Sequence, residues 1–200
     1  MQRLRELARL VEAVFEELES TFAGYQRRTG LNCTSGCGAC CNNPEVEASP
    51  LEMLPLALDL FDRGLAENTL TSLDNYSGFS CIHFVRHSLD GSRGECGIYR
   101  QRPSLCRMFG AAGVSGKFGQ PRLSVCRSIK EEQPAAHLLA LTNLDDDPPP
   151  RMSEGKEKVR QLDHSLGQRD FPINEALRAA LEKVLLLACY SNEVPSDQVA

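Results

Sequence analysis

The sequence predicts a mainly α-helical fold with an irregular, cysteine-rich core and an amphipathic helix at each end. Near both ends of the 200-residue chain, apolar residues recur at three- and four-residue intervals, as on one face of a helix. Between these ends the apolar runs are short, and eight of the nine cysteines fall between positions 33 and 126. A single domain over residues 1–200 is expected at this length.

The N-terminal helix is predicted over residues 2–27. Its apolar stripe consists of Leu4, Leu7, Val11, Val14, Phe15, Leu18 and Phe22. Acidic residues and arginines occupy the opposite face, and Gly30 follows the expected helix end. The stripe is predicted to pack on the core of the same chain, with a dimerisation surface as the alternative.

A second helix is predicted over residues 50–63. Ser49 and Glu52 form a capping-box pattern, and Pro50 occupies the first helical position. The other predicted elements, in chain order, are a helix over 66–73, a hairpin around Asp90 and Gly91, a short helix beginning near Pro103, and helices over 131–143, 153–166 and 173–188.

Two boundaries divide the predicted organisation. Residues 30–130 form the cysteine core, in which loops, a hairpin and short helices are expected. An acidic and proline-rich linker over 145–150 then separates this core from a C-terminal helical segment, residues 151–190.

Charge and hydropathy indicate the broad class of protein. The net charge is −5 and 42% of the residues are hydrophobic, which is ordinary for a globular chain and does not favour nucleic-acid binding. The N-terminal residues lack the apolar core of a signal peptide, and no apolar run reaches the length of a membrane span. A cytoplasmic location without a membrane association is therefore expected, and thiols stay reduced there.

The cysteines predict a metal-centred core. Four lie within nine residues, from Cys33 to Cys41. In a reducing compartment such a group indicates metal binding or redox chemistry rather than disulfides, and thiolates suit zinc, iron and iron–sulfur clusters. The predicted metal ligands are Cys33, Cys37, Cys40, Cys41, Cys81, Cys96, Cys106 and Cys126. Cys189 is excluded, because it is expected to lie in the apolar face of the last helix as a small hydrophobe.

The adjacent pair Cys40 and Cys41 is awkward for one tetrahedral zinc ion, because neighbouring side chains usually diverge. Two sites or a multinuclear cluster would use the pair more naturally, which favours an iron–sulfur cluster, of the [4Fe–4S] type, or iron over zinc.

The spacing of Cys33, Cys37 and Cys40 also occurs in radical S-adenosylmethionine enzymes. The alternating strands and helices of those enzymes do not follow here, and Ala39 stands where an aromatic residue is common.

A second motif extends the pattern. Residues 96–107 read C-G-I-Y-R-Q-R-P-S-L-C-R. Together with the first cysteine group and Cys81, this motif resembles the YkgJ-like cysteine-cluster family of zinc- or iron-chelating domains, over roughly residues 30–128. The resemblance implies a bound metal with a structural, metal-handling or redox role. Flagellin lysine N-methylases have a similar cysteine region, so the resemblance also implies a protein-modifying enzyme as the alternative, acting on a protein partner or substrate.

Basic residues surround the later cysteines. Residues 78–130 contain nine lysines and arginines and two acids, a local net charge of +7. A four-thiolate site carries about two negative charges, so nearby cations can neutralise it or donate hydrogen bonds. The residues predicted to surround the ligands are Tyr99, Arg100, Arg102, Arg107 and Arg127. A nucleic-acid surface is the weaker alternative, because no aromatic residues are interleaved with the charges.

Two histidines follow Cys81. His83 and His87 are four residues apart, so a helix would place them on one face. Histidine is a common zinc ligand, and His83 is a further candidate. Eight cysteines already suffice for two four-coordinate sites, which disfavours both histidines.

Overall fold

A computed structural model describes residues 1–191 of the chain. The elements are α1 (Gln2–Thr29), β1 (Glu47–Ala48), α2 (Pro50–Asp62), α3 (Ala66–Asp74), β2 (Phe84–Arg86), β3 (Gly94–Cys96), a 3₁₀ turn (Tyr99–Gln101), α4 (Ser104–Met108), β4 (Ala111–Ser115), β5 (Pro121–Val125), α5 (Arg127–Glu132), α6 (Pro134–Thr142), α7 (Met152–Arg160), α8 (His164–Gly167), β6 (Phe171–Pro172) and α9 (Ile173–Ser191). The predicted mainly α-helical fold is confirmed.

Helix α1 follows its predicted stripe closely. Leu4, Val11, Phe15 and Phe22 are buried, so the stripe packs on the core of the same chain. Gly30 ends the helix in the left-handed conformation, with φ of 73°, which glycine adopts without the steric cost of a side chain.

Helix α2 begins at the predicted capping box. The Ser49 hydroxyl accepts the Glu52 backbone N–H, and the Glu52 side chain accepts the Ser49 backbone N–H. Pro55 lies inside α2, in its second turn, where it has no backbone N–H to donate to the Leu51 carbonyl. The helix is apolar on nearly all sides because it packs centrally, chiefly against α9 and α1.

The main core lies between α1, α2 and α9. Large side chains on its three sides include Val11, Leu54 and Leu181, each almost fully buried. Two smaller apolar clusters lie toward the C-terminal half of α1 and hold α4, β4 and α5 against it.

Three antiparallel two-stranded sheets complete the fold of residues 1–191. They pair β1 with β6, β2 with β3, and β4 with β5. The β2–β3 hairpin turns through the predicted Asp90 and Gly91. The β4–β5 hairpin lies where loops were expected, because Ala111, Ala112 and Gly113 lack the β-branched and aromatic residues that mark strands.

Gly113 allows close packing of the segment predicted as a linker. Its N–H donates to the Pro150 carbonyl over 2.8 Å, and a side chain at Gly113 would lie 2.6 Å from the Pro149 carbonyl oxygen. Residues 145–150 contain no helix or strand, but Asp147 pairs with Arg28 at 2.8 Å and Pro149 is buried. The segment is thus held against the rest of the chain.

Two predicted helices are interrupted. The helix expected over 131–143 breaks at Gln133, which separates α5 from α6 and bonds through its side chain to both backbone groups of Asn32. The helix expected over 153–166 divides into α7 and α8, since Asp163 caps a new start by accepting the Leu166 N–H at 3.1 Å.

The prediction for Cys189 was wrong. Helix α9 buries a stripe that includes Leu177, Leu181, Val184 and Ala188, and Cys189 is exposed. It is one residue beyond the stripe, and one residue turns a helix by about 100°, out of the apolar face.

Candidate metal centre

The first cysteine group lies in a turn-rich loop that is fastened to the β2–β3 hairpin. The Gly94 N–H donates to the Gly36 carbonyl over 2.9 Å. The backbone of Cys37 pairs with that of Arg93 in an isolated antiparallel β-bridge. Gly38 lies so close to Phe84 that a side chain there would be 2.6 Å from a ring carbon, Cε2. These contacts bring Cys37 and Cys40 beside the hairpin that ends at Cys96.

Backbone hydrogen bonds place Cys81 beside the adjacent cysteine pair. The Cys81 N–H donates to the Cys41 carbonyl over 2.9 Å. On either side of Cys81, the Asn174 side chain accepts the Ile82 N–H at 2.9 Å and donates to the Ser80 carbonyl at 3.0 Å. The segment that carries Cys81 is therefore fastened to the start of α9.

Helix α4 carries Cys106, and its first residue is fixed by a buried carboxylate. Glu52 is 3% exposed and Ser104 fully buried. One Glu52 oxygen, Oε1, accepts the Ser104 N–H at 3.0 Å and also the Ser104 hydroxyl. The other oxygen, Oε2, accepts the Ser49 N–H at 2.8 Å and the Ser49 hydroxyl at 3.0 Å. One side chain thus holds the starts of α2 and α4 together.

Cys126 stands at the start of α5, next to the end of the β4–β5 hairpin. Its N–H donates to the Gly110 carbonyl over 2.8 Å. The α5–α6 junction in turn bonds to residues flanking Cys33, through Gln133 with Asn32 and through the Thr34 hydroxyl, which donates to Glu132. This places Cys126 at the edge of the cysteine group, near Cys33.

The predicted ligands are brought together in space, with Cys40 in a central position. Charge on Cys40 acts on Cys33, Cys41, Cys81 and Cys106. Charges on Cys40 and Cys96 both act on Cys41, Cys81 and Cys106 but not both on Cys33, and these five cysteines, Cys40, Cys41, Cys81, Cys96 and Cys106, form an inner group. Three others, Cys33, Cys37 and Cys126, form an outer group, since charges on Cys37, Cys40 and Cys126 all act on Cys33.

Hydrogen bonds between thiols divide the inner group into easily and poorly ionised members. The Cys41 thiol hydrogen-bonds to the Cys40 and Cys96 sulfurs, which lowers the pKa of Cys40 to about 6 and that of Cys96 to about 7. The same hydrogen bonds raise the pKa of Cys41. The pKa values of Cys40 and Cys96 thus lie closest to neutral pH within the inner group, and the thiolate is the form that binds metal.

Burial keeps three other cysteines protonated. It raises the pKa of Cys81 to about 11 and also raises the pKa of Cys106. Cys33 is exposed as a residue, but burial of its sulfur raises its pKa to about 11. A bound cation would favour the thiolates and release these protons.

Arg102 is the arginine nearest the thiols. Its positive charge lowers the pKa values of Cys33, Cys40, Cys96 and Cys106, although burial or hydrogen bonding dominates each shift. The guanidinium stacks over the Tyr99 ring at 3.7 Å, and its Nε is buried without a hydrogen-bond partner. Arg102 and Tyr99 thus form one cationic unit beside the cysteine group.

Arg107 is engaged elsewhere. Its Nε donates to the Arg102 carbonyl at 2.8 Å, and its terminal nitrogens donate to Glu19 and to the Arg100 carbonyl. Its guanidinium also lies 4.6 Å from the centre of the Phe15 ring. Arg107 therefore joins α1 to the 3₁₀ turn and holds the backbone of Arg102.

Two further arginines lie on the surface. Arg100 is exposed and lines a shallow depression with Tyr99 and the acidic face of α1. The Arg127 side chain is 89% exposed and donates to Glu131 at 2.7 Å. The structure thus places Arg102 close to the thiols, Arg107 behind it, and Arg100 and Arg127 at the periphery.

The histidines differ in their surroundings. His83 Nε2 is buried without a hydrogen-bond partner, and burial lowers the pKa of the ring. The backbone N–H of His83 donates to the Cys81 sulfur. His87 is about half exposed, with its Nε2 3.8 Å from a Glu95 carboxylate oxygen. A ligand role for His83 stays a prediction.

The donor chemistry of the group fits a soft metal. Five sulfurs in the inner group exceed the four that one tetrahedral ion takes. Among residues 1–191, no three His, Cys, Asp or Glu side chains stand in a geometry that would hold a metal ion without rearrangement. Closure around a metal would therefore require side chains of the cysteine group to move.

Sequence reasoning missed the residues that position the ligands. Glu52 was recognised for capping α2, and its contact with Ser104 had no local signal. The position of Glu52 inside the apolar run of α2 was the one signal for a buried, hydrogen-bonded carboxylate, because buried carboxylates are retained where they accept several hydrogen bonds. Asn174 and Gln133 act across more than 90 residues, at separations of 92 and 101, and no local pattern reveals them.

Comparison with known families defines the class of protein to which the fold and thiol site correspond. A family model described as "CxxCxxCC: Putative zinc- or iron-chelating domain" matches residues 32–133. The match covers half of the chain, and the chain belongs to this family of zinc- or iron-chelating domains. The predicted cysteine-cluster resemblance is thereby confirmed.

The other two comparisons gave no match, either among curated proteins or among solved structures. The similarity to flagellin lysine N-methylases therefore stays a prediction. Across the described residues, 1–191, no helix has both the length and the apolar character needed to cross a membrane.

Proposed function

We propose that this protein binds an iron–sulfur cluster or iron through the cysteine group, with zinc as the competing metal. The single observation that carries the proposal is the convergence of four other thiols on Cys40, which makes an inner group of five. All five donors are sulfur, which suits iron–sulfur clusters and zinc and is a poor match for magnesium or calcium. The number of thiols favours a polynuclear centre over one tetrahedral zinc ion.

The inner group, Cys40, Cys41, Cys81, Cys96 and Cys106, would supply the primary ligands. The outer group, Cys33, Cys37 and Cys126, would complete a larger cluster or hold a second ion. When bound, the metal centre supplies redox capacity, structural cross-linking or a site for transferring metal.

The surroundings of the thiols support this assignment. Arg102 would offset the negative charge of a thiolate centre. Burial of Cys41 and Cys81 limits the access of water and oxidants, and Cys33 at the surface marks the side through which metal enters. The proposed role is therefore a structural, metal-handling or redox function of the bound centre.

Anaerobic purification followed by metal analysis tests the proposal. The expected result is brown protein with broad visible absorption and iron and acid-labile sulfide in comparable amounts. Cys40→Ser should lose most of the bound metal. Cys189→Ser is the matched control, because Cys189 is exposed and lies outside both groups, and it should retain the full metal content.

Two results would contradict parts of the proposal. Colourless protein with stoichiometric zinc would reject the iron–sulfur assignment and leave a zinc-chelating site. Protein that binds neither iron nor zinc after anaerobic reconstitution, or that loses no metal on Cys40→Ser, would reject the thiol group as the metal centre.

A further inference from the structure

Helix α6 exposes its leucines, and its one buried residue is Ala140. Leu138 and Leu139 are 64% and 59% exposed, whereas Ala140 is 4% exposed. Leu141 is also exposed, at 43%. An amphipathic surface helix normally buries its large apolar residues and exposes polar ones. The outer face of α6 instead has the apolar composition that is usual for a buried face.

The residues along the outer face of α6 are almost all apolar. With 100° of rotation per residue, Pro134, Ala135, Leu138, Leu139 and Thr142 fall on the outward arc, where all five are exposed and Thr142 is the one polar residue. The inward arc holds Ala136, His137 and Ala140, the residues with lower exposure. The outward arc, together with Leu141, is called the α6 face below.

The rest of the fold fixes α6 in this orientation. Ala140 packs in the cluster that contains Tyr25, Leu31 and Ile129. At the start of the helix, Gln133 accepts the Asn32 N–H at 3.0 Å and donates to the Asn32 carbonyl at 2.8 Å. Rotating the leucines inward would break these contacts, so their exposure is a property of the folded chain.

Acidic residues flank the α6 face. Residues 131–147 contain five acids, Glu131, Glu132, Asp145, Asp146 and Asp147, and no lysine or arginine. Glu131 is paired with Arg127, and Asp147 with Arg28. Glu132, Asp145 and Asp146 are exposed and form no ion pair within the described part of the chain, so an acidic rim borders the leucines.

We propose that the α6 face is a docking surface for a basic amphipathic helix of a partner protein. The leucines would contact the apolar stripe of that helix, and its lysines or arginines would face the acidic rim. Apolar helical contact with complementary charges at the edges is a recurring recognition mode. The proposal does not depend on the identity of the bound metal.

The charge pattern distinguishes this occupant from two others. A second copy of the chain, docked face to face, would bring two acidic rims together, and like charges oppose such contact. An anionic membrane surface would also repel the rim. A basic partner removes the repulsion and buries the leucines.

A binding experiment with a defined probe tests the proposal. The probe is a fluorescently labelled helical peptide of leucine and lysine, about four turns long, titrated with the full-length protein and followed by anisotropy. The same peptide with glutamate in place of lysine is its charge control. The lysine peptide should bind, with an affinity that falls as salt rises, and the glutamate peptide should not.

Protein variants locate the binding. Leu138→Ser combined with Leu139→Ser should weaken binding by about tenfold or more. Asp145→Asn combined with Asp146→Asn should weaken it and flatten its salt dependence. Leu186→Ser on α9 is the matched control, because this leucine is 53% exposed and outside the face, and it should bind as the wild type does. Circular dichroism verifies that each variant is folded.

Three outcomes would overturn the proposal. The first is that the lysine peptide fails to bind the wild type. The second is that it binds the double-leucine variant as tightly as the wild type. The third is a dimer in sedimentation velocity that the double-leucine substitution dissociates, which would assign the α6 face to a second copy of the chain.

Discussion

The Glu52→Ala substitution tests whether one buried carboxylate holds α2 and α4 together. Glu52 accepts the backbone N–H groups of Ser49 and Ser104, and all three residues are at most 3% exposed. Alanine would leave both N–H groups buried without an acceptor. Each such loss costs about 1–3 kcal/mol, so the free energy of unfolding should fall by about 2–6 kcal/mol.

Urea denaturation followed by circular dichroism measures this change. If the slope of the unfolding free energy against urea concentration is the same in both proteins, the unfolding mechanism is the same. Glu52→Gln should have an intermediate effect, because its amide oxygen can still accept hydrogen bonds. Glu6→Ala is the matched control: Glu6 is exposed on α1, and a surface change of this kind should stay within about 0.5 kcal/mol.

Metal content supplies a second measurement. Because α4 carries Cys106, Glu52→Ala should also lower the metal bound per chain under conditions in which the variant remains folded. If Glu52→Ala and Glu6→Ala were equally stable, the inferred link between α2 and α4 would be wrong. A destabilised variant with a full metal content would show that Cys106 is positioned by other contacts.

Three further predictions concern backbone space and pH. Gly38→Ala would bring a methyl group against Phe84 Cζ, 2.6 Å from Phe84 Cε2 and 3.2 Å from the Gly91 carbonyl oxygen. The free energy of unfolding and the metal content should therefore both decrease, as denaturation and metal analysis would reveal. The new methyl group of Gly24→Ala would lie 3.6 Å from the flexible Arg28 side chain, an ordinary contact distance. This substitution should instead stabilise α1 by about 0.5–1 kcal/mol. Asp163→Ala should destabilise the fold by about 0.5–2 kcal/mol at neutral pH through loss of the α8 cap.

The pH dependence of the Asp163 effect follows from the sign of its shift. A hydrogen bond from the Ser165 hydroxyl, followed by smaller contributions, lowers the pKa of Asp163 in the folded chain. Its stabilisation is therefore fully present above the unfolded pKa of about 3.9 and is lost as pH falls through the lower folded value. Wild type and Asp163→Ala should converge in stability on acidification, and a difference that grows toward low pH would contradict this account.

The glycine predictions share an internal comparison. Both substitutions add one methyl group, so the difference between them reports the space around each residue together with the gain in helix propensity at Gly24. Equal stabilities for Gly38→Ala and Gly24→Ala would show that the cysteine loop moves freely away from Phe84, and that the loop is less tightly held than its contacts indicate.

Local sequence rules predicted the elements that local interactions determine. Apolar periodicity gave α1 and α9, and the Ser49–Glu52 pattern gave the start of α2, because each signal arises within a few residues. The clustering of cysteines likewise predicted that distant thiols would meet. The β4–β5 hairpin escaped prediction because Ala111 and Ala112 gain their stability from burial against α1 and α5, which no strand propensity reflects.

Long-range contacts account for what the sequence did not reveal around the thiols. Arg127 was expected near the ligands because it follows Cys126 in the sequence. Glu131 lies four residues after Arg127, at the spacing of helical ion pairs, and Arg127 pairs with Glu131 instead. Arg107 faces Glu19, which is 88 residues earlier. No local sequence feature distinguishes Arg102, which lies near the cysteines, from Arg107, which lies behind it.

The bonds from Asn174 to the residues flanking Cys81 have a consequence for the order of synthesis. All eight clustered cysteines leave the ribosome before Asn174 does, with about 50 residues between Cys126 and that asparagine. At roughly 5–20 residues per second this interval lasts about 2–10 s. Until it ends, the Cys81 segment lacks its attachment to α9, so this part of the cysteine group is fixed in place only after the start of α9 has been made.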